Sequence, residues 1–278
     1  MSSRYYKADS VSFHYLDSCS LDIQETIVFL HGFTGSSRDF LAIPDFIINN
    51  YRCLIPDLPG HGKTQVPEDE ISFTASRQVA LLEQWLDFLG QSKVHLFGYS
   101  MGGRLALQFA VKNSHQLQSL ILISTTAGIN EESARLARAK ADEHLAQKII
   151  ESDPVDFLNT WLAQPLFKEI ADSQDFIANE VLRRLPLQPY GLACSLKYFG
   201  SGAMPSVWHQ LINIKTPTLV VAGSKDEKYL TLASELAALI PQATLKILPT
   251  GHAPLIESPD LLWKHVAEFL NSVEVQSL

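Results

Sequence analysis

Ser100, Asp226 and His252 are residue types that can combine as nucleophile, orienter and base, and each follows an apolar run that gives way to a glycine-bearing turn. Ser100 is the centre of Gly98-Tyr99-Ser100-Met101-Gly102, a G-x-S-x-G pattern between a strand-like run and a helix-like one. In that setting the pattern reads as a nucleophile elbow, a sharp turn that projects the hydroxyl while glycines let neighbouring backbone come close. Taken singly, Asp226 reads as a turn residue and His252 as a packed histidine in a glycine turn. The chain order Ser, Asp, His, with both partners at strand ends, is much more specific than any one of them. His252 then accepts the serine proton, and Asp226 orients the imidazole and stabilises its protonated form. The segment His31-Gly32-Phe33-Thr34-Gly35 follows an early strand. Its Phe33 N–H and the Met101 N–H are the candidates for an oxyanion hole, because two fixed dipoles aimed at one oxygen stabilise developing negative charge.

Such residues need a scaffold that delivers strand ends to one place. Apolar runs at Ile27–Leu30, Arg52–Pro56, Val94–Phe97, Leu120–Ile123, Thr218–Val221 and Thr244–Leu248 read as buried strands. Between them, Val79, Leu82, Leu86 and Leu89 recur at helical spacing, and a helix is expected from Ser100 to about Val111. Alternating buried strands and helices predict a parallel sheet covered on both faces, since parallel strands need crossovers. From Gly128 to about Pro205 the rhythm turns helical, with no convincing strand. The expected organisation is a core of residues 1–127, a helical cap of 128–205, and a resumed core of 206–278.

Composition narrows the partners. The net charge of −8 over 278 residues argues against an extended nucleic-acid footprint. Cys19, Cys53 and Cys194 lack disulfide-framework or metal-ligand spacing. No phosphate loop or metal cluster is evident, so neither cofactor nor metal is expected. The start lacks the apolar segment of a secretory signal and no run is long enough to span a bilayer, which predicts a cytoplasmic location without membrane insertion. His61 and His265 are expected to be structural.

The elbow, the His-Gly loop, Asp57-Leu58-Pro59-Gly60-His61-Gly62 and the late Asp and His together resemble the α/β-hydrolase superfamily. That resemblance implies a mostly parallel central sheet flanked by helices, with an inserted helical cap. Further features resemble one group within it, the 2-succinyl-6-hydroxy-2,4-cyclohexadiene-1-carboxylate synthases of menaquinone and phylloquinone biosynthesis. These are Arg104 one turn after the nucleophile, Arg135 and Arg138 in the cap, Trp161-Leu162-Ala163-Gln164-Pro165-Leu166-Phe167, Arg184, and Lys228-Tyr229 just after Asp226. With His31 and Tyr99 they make up the substrate-binding residues that the resemblance implies. Thr126, Ala127 and Lys140 depart from the group's pattern. The implied reaction eliminates pyruvate from a tricarboxylate substrate, with the triad abstracting a proton, and a substrate of that charge needs convergent cations. The same triad also serves serine esterases and C–C bond hydrolases, and the scaffold also serves non-catalytic ligand receptors, so both readings stay open. Oligomeric state cannot be read from these residues.

Overall fold

The computed structural model describes residues 1–19, 23, 25–170 and 174–277. Eight strands form one sheet: β1 (Ser2–Ala8), β2 (Val11–Asp17), β3 (Thr26–Leu30), β4 (Arg52–Pro56), β5 (Val94–Tyr99), β6 (Leu117–Ile123), β7 (Thr218–Gly223) and β8 (Ala243–Leu248). Their spatial order is β1-β2-β4-β3-β5-β6-β7-β8, with β1 and β2 antiparallel and the other six parallel. The fold is therefore the α/β class expected, with a mostly parallel sheet.

The helices follow in chain order: α1 (Asp45–Ile48), α2 (Ala75–Phe88), α3 (Met101–Asn113), α4 (Glu132–Glu151), α5 (Pro154–Leu162), α6 (Gln174–Arg184), α7 (Pro189–Phe199), α8 (Glu227–Leu239), α9 (Pro254–Glu257) and α10 (Pro259–Ser277). Val79, Leu82 and Trp85 of α2, Leu105 and Phe109 of α3 and Leu236 of α8 pack on one sheet face. Ile47 of α1 and Leu262, Trp263, Val266 and Leu270 of α10 cover the other. Two-sided cover explains why β3 is apolar at Ile27, Val28, Phe29 and Leu30 without alternation. No helix among the described residues is long and apolar enough to cross a membrane.

The antiparallel edge was absent from the strands expected above. Its signal is the period-two pattern Val11, Phe13, Tyr15, all buried, and two of these rings pack edge-on against Trp85 at 5.4 and 5.1 Å. Helices α4 to α7 lie between β6 and β7 and have their own apolar cluster, with Ile149, Phe157, Leu158, Leu162, Leu192 and Leu196. That cluster lets the insert hold its shape over the sheet.

The order in which strands are added reverses between β3 and β5: the crossover from β3 leads to β4 on one side, and β5 then lies on the other. The carboxyl ends of strands at such a switch leave a crevice in which open α/β sheets bind ligands. The loop at Phe33 and the turn at Ser100 leave the sheet at this point.

Asp57 braces the loops around the crevice. Its carboxylate accepts from His14 Nδ1 at 2.7 Å, Ser37 N at 2.6 Å and Lys63 N at 2.7 Å. Burial alone pushes this carboxyl up, but His14 and the two backbone N–H groups hold it down to about 2. A depressed folded-state value means stability that is fully present above about pH 4 and is lost as pH falls towards 2. Asp57→Asn therefore destabilises the fold by about 2 kcal/mol at pH 7. The gap to the wild type narrows below pH 4, which urea denaturation at pH 7 and pH 3 measures.

Candidate active site

Strand β5 ends at Tyr99 and helix α3 begins at Met101, so Ser100 makes the whole turn alone, at φ 51° and ψ −106°. A non-glycine residue rarely occupies this region, and strain of this kind persists only where surroundings impose it. Here the Ser100 N–H donates to Ile123 O at 2.9 Å, and its carbonyl accepts from Thr125 Oγ1 at 2.8 Å and Arg104 N at 3.1 Å. The glycines have the steric purpose expected of them. A Cβ on Gly98 would lie 2.6 Å from Gly102 O, and one on Gly102 would lie 2.1 Å from Leu30 O.

Ser100 Oγ lies 3.1 Å from His252 Nε2, and His252 Nδ1 lies 2.7 Å from Asp226 Oδ2. Asp226 also accepts from Tyr229 N at 3.2 Å. Burial raises the Asp226 carboxyl, but the His252 hydrogen bond and charge, the Tyr229 N–H and Lys228 bring it below the usual carboxylate range. It is thus ionised where it faces the imidazole. Three side chains from the ends of β5, β7 and β8 form a continuous hydrogen-bonded row.

The loop after β3 lies against this row. A Cβ on Gly32 would sit 3.7 Å from Ser100 Cβ, and none of the described residues accepts from Phe33 N. Met101 N opens α3, where a first-turn N–H has no intrahelical acceptor. Both amides are thus available to an incoming oxygen.

Beyond His252 lies a group of cations. Tyr229 is edge-on to the His252 ring at 4.3 Å, and the Lys228 ammonium sits 5.6 Å over the Tyr229 ring. Burial pushes the Tyr229 phenol up, against the opposing pull of Arg104 and Arg138. Arg104 is not a solvated helix arginine: it donates to Phe199 O at 2.9 Å and lies 5.3 Å over the Phe199 ring, and burial pushes it down to about 10. Lys228 is likewise lowered, by burial and then by Arg138. Arg138 donates through Nε to Asp142 Oδ1 at 2.8 Å, which leaves its terminal nitrogens without a partner among the described residues. Arg104, Arg138, Lys228 and Tyr229 therefore lie close enough to feel one another's charge.

The other residues expected to bind substrate border this row to different degrees. Trp161 packs on Phe33 at 5.2 Å and Phe167 at 5.8 Å, and its buried Nε1 has no acceptor among the described residues. Tyr99 stands 5.9 Å from the His252 ring and beside Gly32. Arg184 reaches the edge of the site, but its guanidinium is held by Glu180 and donates to Thr34 Oγ1 at 3.2 Å. Arg135 stands three residues before Arg138 on α4, and its carbonyl lies beside Gly202. His31 corrects the expectation made for it: fully buried, it faces Gly32 O through Nδ1 at 2.8 Å and accepts from Leu58 N through Nε2 at 3.0 Å. With both nitrogens engaged by backbone, it braces the loop and has none left for a ligand. His61 is buried beside Pro59 O and His265 pairs with Glu268 on α10, so both have structural surroundings.

Asp142 and Glu180, which hold Arg138 and Arg184, were not anticipated. The signal was available, because each carboxylate stands four residues from its arginine on the same helix.

The family model of the alpha/beta hydrolase fold matches residues 25–259, and this chain belongs to that family. Within it, the chain is 36% identical over 255 residues to a putative 2-succinyl-6-hydroxy-2,4-cyclohexadiene-1-carboxylate synthase of Bacillus subtilis (strain 168), covering 90% of this chain and 91% of the relative. It is 30% identical to the synthase of Yersinia pestis bv. Antiqua (strain Nepal516), with 88% and 87% covered. The structure of MenH from S. aureus superposes with a TM-score of 0.88 at 34% identity, covering 94% of this chain and 98% of that one.

Proposed function

We propose that this chain is a carbon–oxygen lyase that eliminates pyruvate from 2-succinyl-5-enolpyruvyl-6-hydroxy-3-cyclohexene-1-carboxylate, forming 2-succinyl-6-hydroxy-2,4-cyclohexadiene-1-carboxylate for menaquinone or phylloquinone biosynthesis. The synthase relatives support the assignment, and the observation that carries it is the cationic group beside the triad. Arg104, Arg138 and Lys228 suit a substrate with several carboxylates, whereas hydrolysis of a simple ester would leave them without purpose.

In this reading Ser100, His252 and Asp226 act as one base. His252 takes the Ser100 hydrogen, and the Ser100 oxygen removes a proton from the substrate ring. The electron pair of that C–H bond moves through the ring as a new double bond forms and the bond to the enolpyruvyl oxygen breaks. The Phe33 and Met101 N–H groups hold the negative charge that builds on the conjugated succinyl carbonyl. The proton returns from His252 to the departing enolpyruvate, which ketonises to pyruvate. No water is consumed and no bond forms to Ser100. Asp226, ionised and fixed by the Tyr229 N–H, stabilises the imidazolium while it exists. The residues 128–205 act as the cap, bringing Arg138 and Trp161 over the triad.

An ester or C–C bond hydrolase with the same triad works instead through a covalent intermediate on Ser100. Intact-protein mass spectrometry of the enzyme quenched during turnover separates the two. The lyase keeps its unmodified mass; an acyl adduct that maps to Ser100 overturns the reading.

A further inference from the structure

We propose that helix α6 clamps the oxyanion loop, with Arg183 acting as a positioning residue for the Phe33 amide through Asp39. The inference rests on the oxyanion role given to Phe33 above.

The loop contains a conformation that its sequence disfavours. Thr34, directly after Phe33, has φ 64°, and a β-branched side chain is a genuine outlier there. Such a conformation persists when neighbours over-determine it. On the β3 side the loop is pinned at Gly32, whose carbonyl faces His31 Nδ1 at 2.8 Å and accepts from Gly35 N at 3.1 Å. On the other side it borders not packed core but a cavity of about 460 Å³, lined by Thr34, Gly35, His61, Arg183, Arg184 and others. What holds it there comes from α6.

The holding contacts form one chain. Arg183 pairs with Asp39 and donates to Glu180 through Nε at 3.0 Å and through a terminal nitrogen at 2.6 Å. Asp39 closes a capping box with Ser36, and its carboxylate lies where a Cβ on Gly35 would be, 2.2 Å from that position. It therefore fills the space beside Gly35 that a side chain would need. Arg184, the next residue of α6, donates to Thr34 Oγ1 at 3.2 Å, and Glu180 ties the two arginines together. Partly buried charge pairs of this kind hold geometry as well as charge, because losing one partner strands the other. Docking of α6 and the shape of the oxyanion loop are thereby one event: the hole is formed when the insert is seated.

If the clamp imposes the strained turn, a residue that adopts the turn without strain should no longer need it. Glycine is that residue. The test measures kcat and KM for wild type, Arg183→Gln, Thr34→Gly and the double variant, with melting curves for each. Arg183→Gln should lower kcat by about 30-fold, a fraction of the loss from deleting a whole oxyanion donor, with KM within about 3-fold. In the Thr34→Gly background the same substitution should cost less than about 3-fold in kcat. Asp39→Asn, which retains an oxygen to accept from Ser36 N, should reproduce the Arg183→Gln result and replaces it if that variant does not fold. An unchanged kcat, or an equal loss in both backgrounds, overturns the clamp. Pyruvate release and p-nitrophenyl acetate hydrolysis are both followed, since both place an oxyanion in the hole. Wild type silent on the enolpyruvyl substrate, with the expected pattern kept on the ester, contradicts the lyase and leaves the clamp standing. Wild type silent on both contradicts the clamp as well.

Discussion

Ser100→Ala lowers kcat for pyruvate release by roughly 10³- to 10⁴-fold while leaving KM within a few-fold. The hydroxyl is the atom that meets both the substrate proton and His252, 3.1 Å away, so its loss removes the path by which the proton leaves the ring. On the proposed mechanism, what survives is the pair of amides at Phe33 and Met101 and the cationic group, which would still bind and polarise the substrate. The fold has little reason to change. The turn is held by bonds of the Ser100 backbone, whose N–H donates to Ile123 O and whose carbonyl accepts from Thr125 Oγ1 and Arg104 N, and none of them uses the serine side chain. Steady-state kinetics with a melting curve separates the outcomes: loss of kcat in a protein that melts as wild type supports the base role, and retained kcat refutes it.

Arg138→Ala raises KM by about 10- to 100-fold with a smaller effect on kcat, as expected for one lost charge-assisted pair of roughly 1.5–3 kcal/mol. The guanidinium is held by its Nε to Asp142, so the two terminal nitrogens present a flat edge that can meet both oxygens of one carboxylate. Arg138→Lys recovers little of the loss, because an ammonium cannot reproduce that edge. Burial already pushes the Asp142 carboxyl up, and losing Arg138 pushes it further towards the neutral form, with Arg104 and the Gly202 N–H still opposing that. The stability cost stays small for that reason. A kcat loss matching the KM change would instead place Arg138 on the reacting atoms.

Much of this arrangement was legible in the chain. Runs such as Thr26–Leu30 and Thr218–Gly223 are apolar without alternation because they are covered on both faces, and that pattern cannot be mistaken for a half-exposed strand. Ser100, Asp226 and His252 could be placed because each marks the end of a run, and parallel strands deliver their ends to one edge of the sheet. The antiparallel pair β1 and β2 was less legible, since β1 is mostly exposed and has no apolar run, and the alternation of β2 gains its buried face only where Trp85 packs on it. His31 shows the opposite failure. Its position beside the nucleophile suggests contact with substrate, yet the two backbone groups that occupy its ring are distant in sequence or belong to the turn itself. Arg135 and Arg138 look equivalent by spacing, and what distinguishes their surroundings is the turn after α7: Gly202 packs on the Arg135 carbonyl and Ala139, while Gly200 packs on Asp142, the partner of Arg138. Such choices are made by long-range packing, which a periodicity does not contain.

The most direct test of the account is the release of pyruvate from 2-succinyl-5-enolpyruvyl-6-hydroxy-3-cyclohexene-1-carboxylate by the purified wild-type protein, followed with lactate dehydrogenase against the spontaneous rate. One pyruvate is expected for each cyclohexadiene formed, at an initial rate proportional to enzyme and far above background. Release at the background rate from folded protein and authentic precursor would contradict it.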